Sequence, residues 1–184
     1  MNRHIILSGF GGQGVLSIGK NLAEAGLEEG RNVSWVPAYG PEMRGGTANC
    51  SVIISDKRIG SPLIEHPTDL IVMNRPSLSR FEPLVKTGGI IFVDSSTISD
   101  KVTRDDLHAF YIPCDDIAKE IGNTKAANIV MLGAFVEATG IVKMETVENM
   151  IREIFTGSKA KFVPTNLEAL KRGAECVDLT PVPY

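Results

Sequence analysis

Three cysteines, three histidines and one tryptophan are all that this 184-residue chain holds of those types. The shortage argues against several chemistries. Cys50, Cys114 and Cys176 lie far apart and form no C-x-x-C pair. An iron–sulfur cluster takes four protein ligands, as a rule cysteines, so this chain supplies too few by itself. Each cysteine reads instead as a small apolar filler. His4, His66 and His108 show no ligand spacing, so no metal site is expected. There is no G-x-S-x-G elbow and no arguable Ser/His/Asp set. No apolar run approaches the roughly 20 residues that span a bilayer. The short run behind Arg3 and His4 is too brief for a secretory leader, which leaves a cytoplasmic protein as the expectation. The net charge is −3. Its signs are mixed along the chain, so neither nucleic acid nor a membrane surface is an expected partner.

What is present suits one globular unit. Hydrophobic residues make up 43% of the chain, enough at this length for a full core. The expected division is a single domain over 1–177 and an extended, Pro-rich tail over 178–184. Strands are expected at 5–8, 32–36, 47–55, 69–74, 90–93 and 109–112. Helices are expected at 13–29, after Pro76, and at 115–121, 126–138, 145–155 and 165–176. Arg58 to Leu63 reads as a return strand pairing with Thr47 to Ser55 as a hairpin. The alternation of strands and helices predicts a three-layer, Rossmann-like α/β fold. Its sheet is mainly parallel with an added β-hairpin, and its C-terminal part is helical.

The most specific local signal is Gly9-Phe10-Gly11-Gly12-Gln13-Gly14, directly behind Ile5-Ile6-Leu7. Gly9, Gly11 and Gly14 fit G-x-G-x-x-G at the end of a strand and the start of a helix. Backbone N–H groups at such a helix start form a potential anion site. A nicotinamide enzyme makes a second demand, an acidic residue about 20 residues further on at the end of the second strand. Here that strand ends at Val36-Pro37-Ala38, and the next carboxylate is Glu42. A stand-alone NAD(P)- or nucleotide-binding protein is therefore the weaker reading.

A second unusual segment is Tyr39-Gly40-Pro41-Glu42-Met43-Arg44-Gly45-Gly46. Glycines beside Arg44 let a guanidinium approach a partner closely and clamp a carboxylate or phosphate. Alternatively Arg44 pairs with Glu42 or caps a helix. Both special loops follow strand ends, so they are expected to meet on one rim of the sheet. Asn128, inside an apolar helix, either fixes loop packing or faces a ligand. Asp94-Ser95-Ser96 either touches a ligand or caps the next segment. No nucleophile–base pair or metal cluster accompanies these features, which suggests a binding or assembly subunit. A purely structural interface subunit is the remaining alternative.

The paired motifs G-x-G-G-Q-G and Y-G-P-E-M-R-G-G, with Ser61-Pro62 and the stretch Asn128 to Gly133, resemble the gamma subunit of 2-oxoacid:ferredoxin oxidoreductases. The resemblance runs to about Val177, and the form of Trp35 to Arg44 is most similar to the 2-oxoglutarate and branched-chain types, with 2-oxoglutarate favoured. It implies a complex that oxidatively decarboxylates a 2-oxoacid to acyl-coenzyme A and CO2. It implies partners: alpha and beta subunits, a delta subunit as a further candidate, and ferredoxin reached through the complex. Thiamine diphosphate, Mg2+ and iron–sulfur clusters would sit in other subunits, with coenzyme A as co-substrate. The expected coenzyme A-placing positions are Gly9, Gly11, Gly12, Gln13, Gly14, Tyr39, Gly40, Glu42, Arg44, Gly45, Gly46 and Asn128. No catalytic residue is carried over. The isolated chain is expected to be inactive, and an apolar patch left without its partners would offer a surface for a homodimer.

Overall fold

The computed structural model describes residues 1–38 and 46–177. Its elements run β1 (Asn2–Phe10), α1 (Val15–Glu28), β2 (Asn32–Ala38), β3 (Thr47–Ser55), β4 (Asp69–Val72), α2 (Arg75–Phe81), β5 (Ile90–Asp94), β6 (His108–Ile112), α3 (Cys114–Glu120), α4 (Ala127–Thr139), α5 (Met144–Ile154) and α6 (Val163–Glu175). One sheet has the order β2-β3-β1-β4-β5-β6. Strands β1, β4, β5 and β6 run parallel. Strand β3 is antiparallel to both β1 and β2. The mainly parallel α/β sheet with a helical C-terminal part is therefore as the patterning predicts.

The hairpin is not the expected one. Residues 58–63 form no strand. Strand β3 pairs along its length with β1 on one side and β2 on the other, so neither edge is free for a return strand. Gly60 and Pro62 further disfavour one. Strand β1 also runs past its expected end, because Phe10 pairs with Thr47. The tail expected over 178–184 lies outside the described residues.

The period-2 alternation of the strands divides the core. Ile5, Leu7, Ile71, Ile90 and Phe92 face α1, α3, α4, α5 and α6. Ile6, Leu70, Val72, Ile91 and Val93 face α2 and the segments around Val85 and Ile98. On the helical face Phe92 stacks on Phe110, with centroids 5.1 Å apart, and meets Phe135 edge-on at 5.2 Å. Helix α4 is buried almost all round. It crosses α6 with backbones in contact. A Cβ on Gly133 would lie 2.0 Å from Leu170 O, and one on Gly173 would lie 1.8 Å from Val130 O. Glu29, just past α1, accepts from Lys143 N at 2.6 Å and Thr146 Oγ1 at 2.7 Å. It thereby serves as a remote cap for α5.

Candidate functional site: the glycine turn and its cleft

The glycine turn is held by its own side-chain brace. Gln13 Oε1 accepts from Phe10 N at 2.6 Å, and Gln13 Nε2 donates to Met73 O at 2.8 Å. One amide thus ties the end of β1 to the end of β4. Gln13, expected among the ligand contacts, spends both ends of its amide on this brace. The glycines have distinct duties in the turn. Gly9 lies inside β1, where a Cβ would sit 2.7 Å from Gln13 Oε1 and 2.9 Å from Met73 Cβ. Gly12 and Gly14 carry the left-handed backbone, at φ 93° and 79°. Gly14 is the N-cap of α1, and a Cβ there would meet Asn128 Nδ2 at 2.6 Å. Asn128 therefore packs onto the turn from the start of α4.

These residues border a cleft of about 410 Å3, lined by Gly12, Gly14, Met73, Asp115, Lys125 and Asn128 among others. It opens at the carboxyl ends of β1 and β4. The helix after β1 covers one face of the sheet and the helix after β4 covers the other, so this is the topological switch point where α/β sheets bind ligands. Two helices begin on the cleft, α1 and α4. Neither has a side-chain cap nor an acidic residue in its first turn. Helix α4 is entered through a 3-10 turn at Thr124–Ala126, so the N–H groups and dipole that favour an anion are chiefly those at the start of α1. Lys125 adds a cation with no ion pair among the described residues. Asp115 contributes one opposing carboxylate.

Asp94, at the end of β5, braces the segments that follow it, in line with the capping alternative. Its buried carboxylate accepts from Ser96 N at 3.1 Å, Cys114 N at 3.2 Å and Thr97 Oγ1 at 3.3 Å. Desolvation is the main cause that pushes its pKa up to about 6; the three hydrogen bonds pull down and nearby Asp115 pushes further up. Thr97 also donates to Met73 O at 2.9 Å, so the loops after β4 and β5 are joined. Burial pushes the Cys50 thiol up to about 12, and Cys114 is raised well above the ordinary thiol value, so neither is a ready nucleophile.

The expectation of one shared rim is met at Gly46, whose O accepts from Gly11 N at 3.3 Å. Tyr39, Gly40, Glu42, Arg44 and Gly45 lie outside the described residues. Lys125 and Asp115 were not singled out by sequence reasoning. A signal existed for Lys125: a cation immediately before a helix opposes the helix dipole. Among the described residues no group of three or more His, Cys, Asp or Glu is placed to hold a metal ion, and no helix is long and apolar enough to cross a membrane. The nicotinamide reading loses further ground, because β3 stands between β1 and β2. The end of β2 is thus two strand spacings, about 10 Å, from β1, where a ribose-binding carboxylate would need it one spacing away.

Over residues 4–176 the chain matches the family described as pyruvate ferredoxin/flavodoxin oxidoreductase. It is 46% identical over 171 residues to ketoisovalerate oxidoreductase subunit VorA of Methanothermobacter marburgensis, covering 92% of this chain and 35% of that one. It is 36% identical over 179 residues to 2-oxoglutarate synthase subunit KorC of Methanocaldococcus jannaschii, covering 95% and 94%. Its fold matches the crystal structure of a keto/oxoacid ferredoxin oxidoreductase gamma subunit from Geobacter sulfurreducens with a TM-score of 0.81 and 29% identity, over 95% of this chain and 98% of that one. The chain thus spans about a third of the length of the VorA relative and nearly all of the other two. The chain belongs to the pyruvate ferredoxin/flavodoxin oxidoreductase family.

Proposed function

We propose that residues 1–177 act as the gamma subunit of a cytoplasmic 2-oxoacid:ferredoxin oxidoreductase. What carries the reading is the match along residues 4–176 to a family whose relatives are named as subunits of such enzymes. In the reaction the 2-oxoacid loses its carboxylate as CO2. The acyl carbon gives up two electrons, for which ferredoxin is the acceptor; clusters held by other subunits would supply the electron relay. The coenzyme A thiolate then takes the acyl group as a thioester. Thiamine diphosphate, Mg2+ and the clusters are assigned to the alpha, beta or delta partners.

The part assigned to this chain is placement of coenzyme A, which supplies the acceptor thiol. The uncapped start of α1 and the unpaired Lys125 suit its phosphates. Gly12 and Gly14 keep the backbone low enough for approach, and Arg44 is the candidate clamp. Two 2-oxoacids compete as substrate. The sequence pattern favours 2-oxoglutarate, and the higher identity to the ketoisovalerate relative supports a branched-chain 2-oxoacid.

The test is affinity purification of the tagged chain from its native cells, with a coenzyme A-dependent ferredoxin reduction assay on 2-oxoglutarate, ketoisovalerate and pyruvate. Co-purifying subunits with turnover on one of these is the expected result. Recovery of the chain alone, or turnover by the chain alone, would overturn the subunit reading. In the complex, Arg44→Ala should raise the apparent KM for coenzyme A, since a lost charged contact at a dry site costs about 2–5 kcal/mol. An unchanged KM with weakened assembly would point to the structural reading instead.

A further inference from the structure

The braces around the glycine turn form one connected chain. Met73 O, just past β4, takes two donors, Gln13 Nε2 at 2.8 Å and Thr97 Oγ1 at 2.9 Å. Met73 is 1% exposed, so water does not stand in for either donor. Through Gln13 the chain reaches Phe10 N, where the turn begins. Through Thr97 it reaches Asp94, whose side chain is fully buried at the end of β5. Asp94 Oδ1 accepts two backbone N–H groups, from Ser96 and Cys114. Asp94 Oδ2 meets one group among the described residues, the Thr97 hydroxyl at 3.3 Å.

A hydroxyl has a single proton to give. Thr97 gives it to Met73 O or to Asp94 Oδ2, and not fully to both. When Asp94 is protonated, the acid proton sits on Oδ2, because Oδ1 is engaged by its two N–H donors. That proton points at Thr97 Oγ1, and the proton of Thr97 is then committed to Met73 O. When Asp94 is ionised, the charge on Oδ2 draws the Thr97 proton to itself in a charge-assisted bond. Met73 O is then left with Gln13 alone.

We propose that Thr97 is a positioning residue that relays the protonation state of Asp94 to the glycine turn, through Met73 O and Gln13. Protonation tightens the turn and removes a negative charge beside the cleft, and ionisation does the reverse. The change falls in an accessible range, since burial pushes the Asp94 pKa up to about 6. The elements around Asp94 bring few titratable groups. Helix α3 brings Asp115, which pushes the value further up, and Asp116, which accepts from Ser96 Oγ at 3.0 Å. It also brings the Cys114 thiol, held neutral by a pKa well above the ordinary one. Asp100, in the segment after β5, is paired at 2.8 Å with Arg75 at the start of α2. Lys125 stands with Asp115 on the cleft wall. Tyr111 on β6 has its hydroxyl on Val102 N at 2.9 Å and Lys101 over its ring. Helix α4 carries no charge before Glu137. The proposal rests on the hydrogen-bond chain and stands whether or not the subunit reading holds.

The experiment is an NMR titration of the full chain from about pH 4 to pH 8, reading the Asp94 carboxyl and the Gln13 side-chain amide. Both signals should move with one midpoint near pH 6. In Thr97→Val, at an exposed position where folding is not at stake, Asp94 should still titrate and Gln13 should stay still. Thr97→Ser, which keeps the hydroxyl, should restore the joint movement. In Asp94→Asn the Gln13 signal should not move. That variant separates Asp94 from His4, His66 and His108, which lie toward the amino ends of β1, β4 and β6. A Gln13 signal that stays still in the unmodified chain while Asp94 titrates overturns the proposal. So does equal movement of Gln13 in Thr97→Val, which would make the coupling a field effect of the charge. An Asp94 that does not titrate in this range overturns it as well.

Discussion

The two faces of the sheet are held by different physics. On the helical face, five helices cover Ile5, Leu7, Ile71 and Phe92, and α4 meets α6 backbone to backbone. On the opposite face α2 covers a smaller apolar cluster, and a polar network does much of the joining. Glu82, 6% exposed, accepts from Thr103 N at 2.6 Å, Thr103 Oγ1 at 2.7 Å and Arg104 N at 3.0 Å. Arg104 in turn donates to Val85 O at 2.6 Å and grips Asp106 bidentately. That grip, with Thr87 second, holds the Asp106 pKa down at about 2. Large apolar area tolerates few shape changes, whereas a polar network tolerates few unpaired atoms. The face with the greater apolar area is also the one whose helix starts build the cleft.

The comparison can be broken most severely at the helix crossing. Gly173→Ala or Gly133→Ala should destabilise the chain by about 3 kcal/mol or more, read by chemical denaturation, because a Cβ meets backbone that cannot rotate away. A variant as stable as wild type would show that the crossing is looser than described. On the other face Glu82→Ala should cost about 2–3 kcal/mol, since it strands two backbone N–H groups and a hydroxyl. A loss under half that would mean water replaces the carboxylate.

A subtler probe is Asp94, between the faces at the rim. Its folded pKa of about 6 lies above the ordinary 3.8. The fold therefore favours the protonated form, so its contribution is present below about pH 4 and fades as pH rises through about 6. Relative to wild type, Asp94→Asn should gain about 2 kcal/mol between pH 4 and pH 7, somewhat less than a full two-unit shift is worth. Parallel stability curves for the two proteins would show that Asp94 does not titrate there. The smallest effect belongs to Lys171→Ala on the solvent side of α6. Lys171 pairs with Glu175 at 3.9 Å, both being well exposed, and the change in stability should stay within about 0.5 kcal/mol.

Patterns confined to neighbouring residues were legible. The continuous apolar runs at Ile5-Ile6-Leu7 and Ile90 to Val93 read as strands, and both are, with every residue of the two runs buried. The helical spacings over residues 145–155 and 165–176 were found to within two residues of α5 and α6. Misreadings came where a distant partner decides. The segment 58–63 had turn and strand signals but no free strand edge to pair with. Nothing local showed that Met73, far along the chain, takes one end of the Gln13 amide. Gly173 stood out for nothing in its local sequence, yet it meets the α4 backbone.

By itself the sequence determined the α/β alternation, the glycine turn at the end of β1, and the shortage of ligands for a cluster of its own. Those follow from local periodicity, backbone freedom at glycine and simple counting. Tertiary structure decided that β3 would enter the sheet antiparallel beside β1, that Asn128 would pack on the glycine turn, and that Lys125 would line the same cleft. These depend on which surfaces bury each other, and burial is a property of residues far apart in the chain.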